Sequence, residues 1–311
     1  MILPRRAVLA AGLALTTALA GCAASTPAGE GATGLTAAVA FYPFEFVVER
    51  IGGDLVSVEN LTQPGSEAHD VELTPRQVGR LATVDLVVLQ SGFQPAVDAA
   101  LQQVEVRRVV DAAEVVEFLD AEGEGHDHEG EPDGHDHGGL DPHTWLDPTN
   151  LVAVAGQVRD ALVEAGPEHA AAFTANAETL IDDLTSLDEE FTAGLATCRL
   201  RTFVTSHTAF GYLAHRYDLE QVGIRGLEPE VEPTAARIAE VQRLARERGV
   251  TTIFFETLVS PVVAESIAGD LGLATAVLDP LEGLTDQSPG ADYLEVMRAN
   301  LAALQLANGC S

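Results

Sequence analysis

Five of the chain's nine histidines fall between His126 and His143, interleaved with aspartate, glutamate and glycine. Imidazoles this dense among carboxylates point to transition-metal binding, because neutral nitrogen donors and carboxylate oxygens are the ligands such ions take from proteins. The stretch has two parts. His126, His128, His135 and His137 lie in a Gly-, Glu- and Asp-rich tract, Ala121 to Gly138, with no apolar area to bury. That composition predicts a disordered segment without metal, binding zinc at low affinity. His143 instead sits in a tight frame, Asp141-Pro-His143-Thr-Trp-Leu-Asp147-Pro, that belongs to a folded site.

Three more residues have the chemistry to join His143: His69 in Pro64-Gly-Ser-Glu-Ala-His69-Asp70, His207 in Thr205-Ser-His207, and Asp279 ahead of Pro280. A lone histidine after a strand is most often a plain loop residue, so placement has to decide. Hydrophobic patterning predicts strands at Leu35 to Phe41, Leu55 to Leu61, Leu86 to Leu89 and Arg108 to Asp111, alternating with helices at Phe44 to Ile51, Pro75 to Thr83 and Pro95 to Gln103. The second half repeats the plan, with strands Thr202 to Thr205, Gln221 to Ile224, Thr252 to Phe255 and Thr275 to Leu278. Its helices are Phe210 to Tyr217, Thr234 to Arg248, Pro261 to Leu271 and Tyr293 to Ala307. Between the halves, Phe173, Leu180, Leu184, Leu187, Phe191 and Leu195 recur at helical spacing, which predicts one long helix over Glu168 to Thr197, roughly 40 Å at 1.5 Å per residue. The fold class is therefore α/β: two doubly wound, mostly parallel-sheet lobes joined by a single long α-helix.

On this plan His69, His143, His207 and Asp279 all follow the carboxyl ends of parallel strands, where open α/β sheets place their ligand crevices. A cleft between the lobes brings them together as three imidazoles and one carboxylate, a closed tetrahedral set suited to Zn²⁺. Two acidic residues compete with Asp279 for the fourth position. Glu256, at the end of a strand, is open either to ligation or to a hydrogen bond with a ligand histidine, and Glu67 is a further candidate. Carboxylates behind the ligands are expected to orient the imidazoles, and Asp147 and Glu256 are the candidates for that role. His169 and His215 fall outside these frames and are read as surface residues.

The N-terminus sets the compartment. Arg5 and Arg6 precede an apolar run, Ala7 to Leu15, and the segment ends in Leu19-Ala20-Gly21-Cys22. This is the pattern of an export signal cut before a cysteine that then carries lipid, with the signal peptide at 1–21, the lipid on Cys22 and a small-residue tether to residue 34. The expected location is extracytoplasmic, anchored to the cell membrane. Of three cysteines, Cys198 and Cys310 then remain in an oxidising compartment and are read as a disulfide; no CxxC spacing supports thiolate ligation instead. The chain carries 17 basic and 48 acidic residues, a net charge of −31, which excludes nucleic acid as a partner. The domain plan is an N-terminal lobe at 35–148 that includes the His-rich loop 121–138, connecting helices at 149–197, and a C-terminal lobe at 198–311.

With these residues in view the chain resembles the zinc-type substrate-binding lipoproteins of metal ABC importers, whose two lobes are joined by one long backbone helix. The likeness rests on the His69, His143 and His207 frames, on Phe255-Glu256-Thr, on Leu278-Asp279-Pro-Leu-Glu-Gly283, and on a His-rich insert before the second ligand histidine. It implies high-affinity zinc capture and delivery to an ABC permease; a monomer is expected, and the absence of a His-Glu-x-x-His motif argues for binding without catalysis. In manganese-type relatives a glutamate stands where this sequence has His207, which favours zinc. Some zinc-type members carry a glutamate immediately before the first ligand histidine, whereas Ala68 fills that place here. Asp279 is favoured as the fourth ligand. The rival classes are a zinc hydrolase, which would need an open coordination position and a base such as Glu256, and a zinc-storage protein, chaperone or adhesin, whose loss would leave zinc uptake intact.

Overall fold

A computed structural model describes residues 34–120 and 139–311. Within them the chain alternates strand and helix: β1 Leu35–Val39, α1 Tyr42–Gly52, β2 Val56–Asn60, α2 Pro75–Leu81, β3 Leu86–Leu89, α3 Pro95–Leu101 and β4 Val109–Asp111. Two adjoining helices follow, α4 Pro148–Ala165 and α5 Ala170–Leu195. The second half comprises β5 Thr202–Thr205, α6 Gly211–Arg216, β6 Glu220–Gly223, α7 Ala235–Arg248, β7 Thr252–Phe255, α8 Val262–Leu271, β8 Ala274–Val277 and α9 Tyr293–Asn308. The two sheets have the same topology, β2-β1-β3-β4 and β6-β5-β7-β8. Every pairing is parallel, with Leu35 opposite Val56 in one sheet and Thr252 opposite Ala274 in the other. Parallel strands need crossover connections, and their helices cover the sheet faces, so Leu86–Leu89 and Thr202–Thr205 are buried along their whole length.

The helix α5 buries Phe173, Ala177, Leu180, Leu184, Leu187, Phe191 and Leu195, a stripe at the spacing the sequence predicts. It packs on α1 in the first half and on α9 in the second, so one helix supports both lobes. It also packs against α4, joined to it through the short turn Pro167–His169. The helix is thus one member of a packed pair.

One apolar core runs through both halves. Within the first half Phe41 packs edge-on against Trp145 at 4.6 Å, and across the halves Phe46 lies against Tyr293 of α9 at 5.4 Å. A smaller cluster under α7 and α8, including Val204, Ile253 and Ile267, belongs to the second sheet alone. Separating the lobes would expose aromatic surface to water, at a cost to the fold.

Cys198 and Cys310 form a disulfide. Gly309 ends α9 in the left-handed conformation at φ 62° and accepts a hydrogen bond from Arg199 N, which turns Cys310 back toward Cys198. Among the described residues no helix is long and apolar enough to cross a membrane. Cys22 and the histidines at 126, 128, 135 and 137 lie outside the described residues.

Candidate metal centre

Four side chains from four strand ends converge: His69 beyond β2, His143 beyond β4, His207 directly after β5 and Glu282 after β8. Each has a local reason to point inward. Glu67 accepts hydrogen bonds from the backbone N–H groups of His69 and Asp70, at 3.0 and 3.2 Å, which folds the loop so that His69 turns away from solvent. The Phe93 ring packs edge-on against the His69 imidazole at 4.8 Å. Asp141 Oδ1 accepts from both His143 N, at 2.9 Å, and His143 Nδ1, at 2.8 Å. The turn Thr144–Leu146 then buries Trp145, whose indole N–H donates to Pro280 O at 2.7 Å across to the other half. His207 Nδ1 lies 2.7 Å from Glu256 Oε2, and His207 N donates to Glu256 Oε1 at 3.2 Å.

These contacts set the tautomers. With Nδ1 of His143 and His207 donating to carboxylates, each ring turns an Nε2 lone pair inward. His143 Nε2 lies 3.3 Å from His69 Nε2 and 3.3 Å from His207 Nε2. Glu282 Oε1 is 3.5 Å from the Nε2 of His69, 3.7 Å from that of His143 and 3.5 Å from that of His207. A zinc ion bound at about 2.0–2.1 Å puts tetrahedral donors about 3.3–3.4 Å apart, close to these spacings. Glu282 is 1% exposed, and its Oε1 has no hydrogen-bond partner. Lone pairs converging on a buried carboxylate oxygen repel one another unless a proton or a cation lies between them, so the donor set fits a divalent metal.

The electrostatics of the metal-free cage are uneven. For His207, burial opposes the charged form, but the carboxylates of Glu256 and Glu282 outweigh it and push its pKa up to about 10. At His143 burial prevails over Asp141, and the pKa falls below the ordinary histidine value. At His69 burial also lowers the pKa, yet Glu282 and Glu67 reverse the balance and raise it. Burial alone would raise Glu282, but His207 and His69 hold it well below the ordinary carboxylate value. Glu67 is raised to about 7, first by burial, with Glu282 adding to the shift. Protons therefore concentrate near His207, His69 and Glu67 until a cation replaces them.

Two expectations from the sequence need correction. Asp279 does not reach the cage: its Oδ1 accepts from Leu281 N at 2.8 Å, its Oδ2 accepts from Thr257 Oγ1 at 3.1 Å, and its backbone is held at both ends by Asn300. Asp279 builds the turn, and Leu281, in the left-handed region at φ 61°, swings the chain so that Glu282 enters the cage instead. Asp147 does not orient an imidazole. It caps α4, accepting from Thr149 N at 2.8 Å and Thr149 Oγ1 at 2.7 Å. The residue that holds His143 is Asp141, on the other side of the histidine. Glu256 takes the hydrogen-bonding alternative. Glu67 shapes the His69 loop next to the cage and is not among its four donors. His169 is partly exposed and His215 exposed. Glu282 and Asp141 were visible inside frames the sequence had already singled out; the missing information was which carboxylate each turn would consume.

The family described as zinc-uptake complex component A, periplasmic, matches residues 38–307. The zinc-binding protein AdcA of Streptococcus pyogenes serotype M1 is 37% identical over 281 residues, 86% of this chain and 54% of its own length. The chain thus spans about half the length of the AdcA relatives it matches. The high-affinity zinc uptake system protein ZnuA of Bacillus subtilis (strain 168) is 34% identical over 271 residues, 85% of each chain. Among solved structures, the Zn(II)-bound ZnuA-like domain of Streptococcus pneumoniae AdcA superimposes with a TM-score of 0.73 at 31% identity, covering 88% of this chain and 99% of that one. The laminin-binding protein of Streptococcus agalactiae, described as bifunctional with adhesin and metal-transporting activity, gives 0.77 at 30% identity, with the same coverage.

Proposed function

The chain belongs to the family of zinc-uptake complex component A, and from that premise we propose that it captures Zn²⁺ outside the cytoplasm and delivers it to the permease of an ABC importer. The observation that carries this reading is the convergence of three Nε2 lone pairs and one buried carboxylate oxygen at the spacing of a zinc tetrahedron. In this reading His69, His143, His207 and Glu282 are the ligands, and Asp141 and Glu256 hold two of the rings in the ligating tautomer. Zinc is cargo, bound without chemistry. A cage with four protein donors leaves no open position for an attacking water, which suits capture and disfavours a hydrolase.

The rest of the reading follows from the sequence and from the relatives. Residues 1–21 act as the export signal, Cys22 carries the lipid, and a monomeric pair of lobes, 35–148 and 198–311, is presented at the membrane surface by the tether and joined through 149–197. The histidines of 121–138 supply zinc to the cage.

The test is a metal count by native mass spectrometry on the soluble chain from Ala23 lacking 121–138, with and without His207→Ala. One tightly bound zinc that disappears with His207→Ala is the expected result. A variant that keeps its zinc overturns the cage reading, and a parent chain that retains none overturns it and moves the metal to the His-rich segment, as a storage role requires.

A further inference from the structure

Three glutamines grip the backbone of the three histidine loops. Gln94 Nε2 donates to Ala68 O, beside His69, at 2.8 Å. Gln90 Nε2 donates to Pro142 O, beside His143, at 2.6 Å. Gln221 Nε2 donates to the carbonyl of His207 itself at 3.0 Å. Each amide also bonds a threonine hydroxyl: Gln94 Nε2 donates to Thr62 Oγ1 at 2.9 Å and Gln221 Nε2 to Thr205 Oγ1 at 2.7 Å, and Gln90 Oε1 accepts from Thr144 Oγ1 at 2.5 Å. The carbonyl partner fixes the orientation of each amide, because a flip would set oxygen against oxygen.

Two of these contacts come at a cost to the fold. The Oε1 atoms of Gln94 and Gln221 are buried without a hydrogen-bond partner. Gln94 is 1% exposed and Gln90 2%, so neither amide sits in solvent. An orphaned buried acceptor is unfavourable, and its presence beside two of the three histidine loops calls for a compensating use.

The side-chain type is informative. A lysine or arginine could donate to the same carbonyls but would bring positive charge toward the cation; a carboxylate could not donate. Glutamine donates, stays neutral at every pH, and holds its loop unchanged while the cage exchanges protons for metal. We propose that Gln90, Gln94 and Gln221 are positioning residues that preset the directions of the three Nε2 atoms, so that the cage is tetrahedral before the ion arrives. The proposal rests on the cage being the zinc site.

The experiment uses the full chain with Gln94→Met and Gln221→Met, singly and together, since methionine is close in size and has no N–H donor. Co²⁺ serves as the spectroscopic probe, its visible absorption reporting tetrahedral ligation. Zinc release to a chelator gives the dissociation rate, and thermal melting of the metal-free protein gives its stability. Each single change is expected to speed zinc release roughly tenfold and weaken the Co²⁺ band. Metal-free melting should change little, because the orphaned Oε1 is removed as the carbonyl loses its donor. Gln94→Glu should release zinc faster than Gln94→Met, because its carboxylate faces the Ala68 carbonyl. A lower melting temperature with an unaltered Co²⁺ band and unaltered release would make the glutamines structural only and overturn the proposal. If Gln94→Met does not fold, Gln221→Met, on the partly exposed β6, carries the same readouts. A parent chain that binds neither metal would instead remove the capture reading itself, a result that no glutamine variant can mimic.

Discussion

The cage has two unlike halves built on two like sheets. The first sheet contributes His69 and His143, set among Phe93 and Trp145, and burial leaves His143 reluctant to take a proton. The second contributes His207 and Glu282, with Glu256 behind the histidine; there the carboxylates win over burial, and His207 holds its proton up to about pH 10. The same topology thus supplies one imidazole that gives up its proton readily, His143, and two that hold theirs, His207 and, beside Glu282 and Glu67, His69. The difference shows that strand order sets where a ligand can stand, whereas the residue behind each imidazole sets what a metal must displace to bind there.

The contrast should break first when the shared carboxylate is removed. Glu282→Gln takes an anionic donor from the cage and the counter-charge from both His69 and His207. Zinc affinity by chelator competition is expected to fall by more than the roughly 10–100-fold that loss of an orienting residue costs. An affinity within tenfold of the parent would show that Glu282 does not ligate.

A finer division comes from the two orienting carboxylates. Asp141→Asn and Glu256→Gln should each weaken zinc binding by about 10–100-fold, since each leaves an imidazole free to choose the wrong tautomer. Their pH profiles should differ. The folded pKa of His207 lies above its ordinary value, so in the metal-free protein its contribution to stability is complete below about 6.5 and is lost as pH rises toward about 10. Zinc must displace that proton, so zinc affinity should climb with pH through the same window. Glu256→Gln removes the largest cause of the raised pKa and should flatten the climb, whereas Asp141→Asn should leave it in place. Chelator competition at pH 7 and pH 9 for both variants separates them, and identical slopes would contradict the asymmetry.

The smallest effect on the cage is expected from the disulfide. Replacing Cys198 and Cys310 with serine opens a bond with a sequence separation of 112 residues. The chain-entropy model assigns a loop of this size about 4–5 kcal/mol of stability. Thermal melting should fall accordingly, while zinc affinity stays within about twofold, because the bond joins the end of α9 to the approach to β5, away from the strand ends that carry the ligands. A large loss of affinity would mean that the second half transmits strain to its ligands.

The long-range plan was legible because it depends on patterns that burial enforces residue by residue. Leu86–Leu89, Thr202–Thr205 and Thr252–Phe255 are short apolar or β-branched runs buried on both sides, and they form strands at the positions their composition predicts. The stripe from Phe173 to Leu195 was readable for the same reason, since only a helix puts those residues on one face. The packed partner α4 was harder to delimit, because its small residues Val152, Ala153, Val154, Ala155 and Gly156 carry little periodic contrast.

By itself the sequence determined the class of chemistry, the three histidines that converge and the strand ends from which they come, because donor type and hydrophobic period are local properties of the chain. It could not choose among carboxylates a few residues apart. Asp279 and Glu282 are both acidic, both follow β8 and both are buried. Only the tertiary structure decided between them: Asn300 of α9 and Thr257 beyond β7 bind the Asp279 end of the turn, and Leu281 then turns the backbone so that Glu282 faces the histidines. The same holds for Asp141 and Asp147, which flank His143 at short range, one on its ring and one on a helix end. A carboxylate's role follows from which donors reach it first, and those donors arrive from elements far away in the chain.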